Sequence, residues 1–185
     1  MIGWRHTPCL RSFVLRFGQV GPSGGMSSAS TTKIVLYVEA DAEHRELLRA
    51  AAKGCQVKFA LAMADSLYDA IDYLGGQGKY ADRVRYPLPT FALVDYTLAS
   101  FKGTELARWI KKQSKLSRLP VVMFSGRTEV HQMAECYAAG ADYYIRKPQR
   151  FEDLCAAWRL LSNILRHVWR HWRRWLSILR WTVKR

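Results

Sequence analysis

With 185 residues, 49% of them hydrophobic, the chain has the length for one domain with extensions and enough apolar material to bury a core, which excludes two large domains and a disordered polymer. Its formal charge of +14 is concentrated at the ends: residues 1–33 carry four basic side chains (Arg5, Arg11, Arg16, Lys33) and residues 166–185 carry seven, with no acid in either stretch. The other 18 basic residues face all 15 acids, so the middle is near neutral at +3 and its charge gives no ground for a nucleic-acid-binding reading.

The first stretch, MIGWRHTPCLRSFVLRFGQV, is basic, but Arg11 and Arg16 interrupt any signal-peptide core. From Gly18 to Thr32 the chain is a Gly/Ser/Pro-rich linker without apolar periodicity. Met26 inside it suggests that translation starts there and that residues 1–25 are upstream sequence read through; a genuine basic arm is the alternative. Residues 1–32 are therefore expected to be an arm and linker outside the fold.

KIVLYV, a continuous apolar run rich in β-branched residues, predicts a first strand. DAEHRELLRAAAKG predicts a helix with Leu47, Leu48, Ala51 and Ala52 on one side and Gly54 as its stop. QVKFALA then reads as a strand, and ADSLYDAIDYLGG as a helix ending at a glycine pair. Three more buried-type strands follow, FALVDY, PVVMFS and DYYIRK, separated by the helix-like stretches GTELARWIKKQSK and EVHQMAECYAAG, and a last helix opens near Phe151. Five strands alternating with five helices predict a doubly wound α/β domain, a five-stranded parallel sheet covered on both faces, over residues 33–165.

Four cysteines, Cys9, Cys55, Cys136 and Cys155, lie far apart with no CxxC pair, and buried free thiols in a reducing cytosol are expected in preference to disulfides. Arginines interrupt every apolar run before it reaches the length of a membrane span, so a cytoplasmic domain is expected.

In doubly wound sheets the working site lies at the carboxyl ends of the strands, beside the topological switch point. That rule puts Glu39, Asp95, Ser125 and Lys147 on one rim. Alone, a Lys-Pro pair is a surface turn and a Ser at a strand end is a cap. Together, two carboxylates, a hydroxyl and a lysine suit phosphoryl chemistry. An Asp carboxylate is a competent nucleophile, a lysine and a hydrated Mg²⁺ balance charge on the transferring group, and a hydroxyl can bond a phosphoryl oxygen.

VEADAEHRELL, LVDYTLASFKG, PVVMFSG and YYIRKP carry a resemblance: residues 33 to about 165 resemble the receiver domain of response regulators, especially the single-domain regulators that serve phytochrome-type histidine kinases. The long connection LGGQGKYADRVRYPLP looks like the extended loop of that subgroup. The resemblance implies a flavodoxin-like (βα)5 fold with Asp95 as phosphoacceptor, Gly103 eight residues on, Ser125 in the Ser/Thr position, Lys147 in the lysine position and Tyr144 as the aromatic switch residue. It implies Mg²⁺ held by Asp95, the backbone carbonyl of Thr97 and, through water, Glu39. It further implies a histidine kinase or phosphotransfer protein as phosphodonor, and output through protein–protein contacts, with a homodimer on the face of the fourth helix, fifth strand and fifth helix as one form of it.

Two departures matter. The family's acidic turn has two adjacent acids, the second a direct Mg²⁺ ligand; here Glu39 is followed by Ala40, and Asp41 reads as a helix N-cap. Losing a charged ligand from so small a set should weaken Mg²⁺ binding. The loop also has Ala99 where the family normally has Pro, which removes a source of rigidity. Arg127 reads as a solvated residue at a helix start, with extra positive charge near the phosphoryl group as the alternative.

The helical pattern continues beyond the expected end of the domain. Trp158, Leu161, Leu165, Val168, Trp172, Trp175 and Leu179 are spaced 3, 4, 3, 4, 3, 4, a heptad seam flanked by arginines. Trp158 to Leu165 is expected to pack on the sheet, whereas residues 166–185 form a basic, Trp-rich amphipathic extension suited to a partner helix or an anionic membrane surface, with nucleic acid less favoured. The chain is thus expected to be a non-enzymatic phosphorelay module; the alternative is a phosphorylation-independent scaffold that lost its Mg²⁺ ligand at Ala40.

Overall fold

The computed structural model describes residues 33–161 and 163, apart from 56, 58, 149 and 151. In chain order these form β1 Ile34–Val38, α1 Ala42–Gly54, β2 Ala60–Ala64, α2 Leu67–Gly75, β3 Phe91–Asp95, β4 Thr97–Leu98, β5 Phe101–Lys102, α3 Gly103–Lys112, β6 Val121–Ser125, α4 Val130–Ala138 and β7 Tyr143–Arg146. Residues 152–161 are helical and are termed α5. Five parallel strands make one sheet in the order β2-β1-β3-β6-β7, and β4 and β5 form a separate antiparallel hairpin. The order reverses between β1 and β3, which puts the topological switch point at the ends of those two strands.

The helices start where local chemistry favours them. Asp41 accepts the amide of His44 at 3.0 Å as the N-cap of α1, and Ser66 accepts that of Asp69 at 3.1 Å for α2. Gly76, at φ 69°, closes α2 in the left-handed conformation that a glycine adopts without strain.

Strand alternation divides the core in two. Leu36, Val38, Ala92, Val94, Val121 and Met123 pack on one face with residues of α2, α3 and α4. Val35, Tyr37, Phe91, Leu93, Val122 and Phe124 pack on the other with α1 and α5. Trp158 and Leu161 of α5 are fully buried there, so the first part of the heptad seam does cover the sheet. The long connection after α2 is pinned by Arg83, whose guanidinium donates to the carbonyls of Tyr73, Leu74 and Tyr86, and by the mutually packed rings of Tyr73, Tyr80 and Tyr86.

Two expectations need correction. The second strand spans residues 60–64 instead of 56–62. The residues before it turn back onto α1, where Val57 donates to the carbonyl of Ala52, and onto α5, where Phe59 packs 5.2 Å from Trp158. The cysteines are not all free: Cys55 and Cys155 form a disulfide, because the end of α1 and the second turn of α5 lie side by side on one face of the sheet. Cys136 is a buried free thiol as expected, with burial pushing its pKa up to about 11, and Cys9 lies outside the described residues. The N-terminal arm and the basic extension at 166–185 also lie outside them. Among the described residues, no helix is long and apolar enough to cross a membrane.

Candidate functional site

The sheet brings the predicted residues to one rim. Asp95 ends β3, Ser125 ends β6, Glu39 follows β1 and Lys147 follows β7. Glu39, Asp95 and Ser125 are 2%, 9% and 3% exposed, so the polar groups lie in a recess and their charges must be matched there. The Lys147 ammonium matches one of the two negative charges and is shared between them: it donates a short hydrogen bond to Glu39 Oε2 and another, of 3.2 Å, to Asp95 Oδ1. The other Asp95 oxygen accepts the Thr97 amide at 2.9 Å. The carboxylate is thereby oriented through both of its oxygens.

Burial pushes the Asp95 carboxyl above its ordinary range and the Glu39 charge adds to this, while Lys147 and the Thr97 amide oppose it. Ser125 Oγ accepts the amide of Arg127 at 3.2 Å, and the Tyr144 hydroxyl donates to the Arg127 carbonyl at 2.6 Å. The hydroxyl and the aromatic residue are thus joined through a single peptide segment, although the Arg127 side chain itself is exposed.

Three further groups complete the rim. Tyr37 lies two residues before Glu39 on the same side of the strand; its hydroxyl donates to Glu39 Oε2 at 2.9 Å, and burial followed by the Glu39 charge pushes its pKa up. His44 Nδ1 lies 3.3 Å from the Lys147 ammonium and 3.7 Å from Glu39 Oε2. Arg45 donates to the carbonyls of Glu39 and Ala40 at 2.6 and 2.8 Å and so fixes the turn between β1 and α1. Period-two alternation along β1 is the signal that could have found Tyr37; nothing local marks His44 or Arg45, which arrive by the turn of α1.

For a hard cation the donors are of the right kind: the carboxylates of Asp95 and Glu39 and the Thr97 carbonyl. The set is small, however. Ala40 offers no side-chain oxygen, Lys147 already bonds both carboxylates, and among the described residues no group of three or more His, Cys, Asp or Glu side chains is arranged to hold a metal.

The response regulator receiver domain matches residues 35–159 of the chain. The two-component response regulator ORR1 of Oryza sativa subsp. japonica is 28% identical over 128 residues, covering 66% of this chain and 52% of that protein. The two-component response regulator-like APRR5 of Arabidopsis thaliana is 30% identical over 136 residues, covering 74% of this chain and 21% of that protein. The chain thus spans about half, or less, of the length of these relatives. Among solved structures, the bacteriophytochrome response regulator AtBRR superposes with a TM-score of 0.61 at 26% identity, covering 74% of this chain and 94% of that one.

Proposed function

This chain belongs to the response regulator receiver domain family, the signalling module of two-component systems, and from that membership we propose that Asp95 accepts a phosphoryl group from a histidine kinase or phosphotransfer protein. The observation that carries the reading is the held carboxylate: Asp95 is recessed at a strand end, with the Thr97 amide on one oxygen and the Lys147 ammonium on the other, and Ser125 on the same rim. In the transfer, an Asp95 oxygen attacks phosphorus, the bond from phosphorus to the donor histidine nitrogen breaks, and the imidazole leaves and takes up a proton. Lys147 remains as a positive charge beside the new acyl phosphate, and the Ser125 hydroxyl turns from the Arg127 amide toward a phosphoryl oxygen. Because Tyr144 is bonded to the same Arg127, that turn moves the aromatic side chain as well.

Receiver domains generally bind Mg²⁺. Here Asp95, the Thr97 carbonyl and Glu39 would hold it, weakly because Ala40 replaces an acid, and when bound it would supply positive charge to the transferring group. The reading sets the module in the cytoplasm, with output by protein contact. A homodimer or partner on the α4–β7–α5 face is supported by three exposed side chains, Val130 and Tyr137 one heptad apart on α4 and Tyr143 on β7.

The second reading is a phosphorylation-independent scaffold. It is favoured by Ala40, which puts a methyl group where the family's acidic turn supplies a direct Mg²⁺ ligand. Incubation with acetyl phosphate and Mg²⁺, followed by intact-mass measurement, separates the two. Phosphate uptake that is lost in Asp95→Asn supports the acceptor reading, and label persisting in that variant at the original level overturns it. Uptake that appears only in Ala40→Asp, together with tighter Mg²⁺ by calorimetry, assigns the natural chain to the scaffold class.

A further inference from the structure

One carboxylate of α4 gathers three donors from the segment that follows the acceptor. Glu135 Oε2 accepts the Tyr96 hydroxyl at 2.7 Å, the Lys102 ammonium bonds both Glu135 oxygens at 3.1 and 3.2 Å, and Thr104 Oγ1, on a fully buried residue at the start of α3, reaches Oε1 at 3.3 Å. These partners stand 31 to 39 residues from Glu135, so the contact is wholly tertiary. The same segment also holds the acceptor: Tyr96 directly follows Asp95 in the chain, the Thr97 amide donates to Asp95 Oδ2, and the Gly103 amide donates to the Tyr96 carbonyl at 2.8 Å and closes the loop around the β4–β5 hairpin. The Tyr96 and Lys102 bonds hold the Glu135 carboxyl below its ordinary range, so the clasp is ionic at neutral pH.

We infer that Glu135 is a positioning residue that couples the acceptor loop, residues 96–104, to α4, so that the helix reads the conformation of the loop directly and separately from the Ser125–Arg127–Tyr144 link. A hydrogen-bonded pair on a partly exposed surface contributes little to global stability. Its effect lies in transmission, since a loop tied at both ends cannot shift at Asp95 without pulling on α4.

The test perturbs the loop and reads the helix, by hydrogen exchange of the full-length protein followed over peptides covering 96–104 and 130–138. Ala99→Pro remodels the hairpin, because proline cannot take the positive φ found there. It is expected to change α4 exchange by about threefold in the otherwise natural chain and to leave it unchanged in the Glu135→Ala background. Breaking the clasp from the loop side, with Tyr96→Phe and Lys102→Met together, should abolish the transmission equally, which separates it from any effect of alanine on the helix itself. Ala99→Val, whose β-branched side chain is strained at the positive φ found there, serves as a milder perturbation should the proline variant fail to fold. Equal responses of α4 with and without Glu135, or no response in either, overturn the inference. None of these measurements requires phosphate uptake, so failure of the acceptor reading and failure of the coupling are read separately.

Discussion

Ala99 holds its backbone at φ 53°, the only non-glycine residue among those described to do so. Left-handed φ strains an L side chain by about 1–3 kcal/mol, and here a two-residue hairpin demands it between β4 and β5. The change from the family's proline is therefore more than a loss of rigidity: proline, fixed near −65°, is incompatible with this turn. Ala99→Gly should raise stability by about 0.5–1 kcal/mol and Ala99→Pro lower it by about 2 kcal/mol, read by urea denaturation. Asp95 makes a second prediction at this scale. Its carboxyl is raised mainly by burial, so the folded protein holds that proton more tightly than the unfolded chain. The corresponding stability is full below the unfolded pKa and is lost as pH rises through the raised folded value. Asp95→Asn should therefore melt higher than the natural chain at pH 7, with the difference closing in acid below the ordinary carboxylate range. A lower melting temperature for the variant at pH 7 would mean that the Lys147 ion pair outweighs burial.

Among the elements, α3 approaches β3 more closely than a side chain allows. A Cβ at Gly103 would lie 2.1 Å from the Asp95 carbonyl oxygen and 2.9 Å from Val94 Cγ1. The glycine eight residues after the acceptor is thus a packing requirement, since backbone meets backbone where α3 begins. Gly103→Ala should cost about 3 kcal/mol by forcing α3 away from β3, and it should slow any phosphate uptake by displacing Asp95; urea denaturation and intact-mass kinetics check the two effects. An unaltered unfolding midpoint would mean that the loop relaxes freely, which the Glu135 clasp argues against.

Across the whole molecule, the two faces of the sheet are secured differently. The α2–α3–α4 face is closed by apolar packing and by the Arg83 and Glu135 networks, whereas the α1–α5 face has a covalent tie, Cys55–Cys155, across 100 residues of chain. A cross-link over so long a loop removes much of the freedom of the unfolded chain, so Cys55→Ser with Cys155→Ser should cost about 3 kcal/mol. Chemical unfolding with and without a thiol reductant measures this; reductant should destabilise the natural chain to the level of the double variant and leave the variant unaffected. A natural chain indifferent to reductant would mean that the pair contributes no stability.

Local pattern was enough to read the number and parallel type of the main-sheet strands and the rim on which Glu39, Asp95, Ser125 and Lys147 meet, because alternation and periodicity are local properties and a parallel doubly wound sheet has only one working edge. The Asp41 cap was legible for the same reason. Tertiary structure alone decided what depends on which elements become neighbours: the pairing of Cys55 with Cys155, the retreat of β2 to residues 60–64, the arrival of His44 beside Lys147, and the three donors on Glu135. No spacing encodes these contacts. They follow from side chains distant in the chain being pressed together once the two cores close on either face of the sheet.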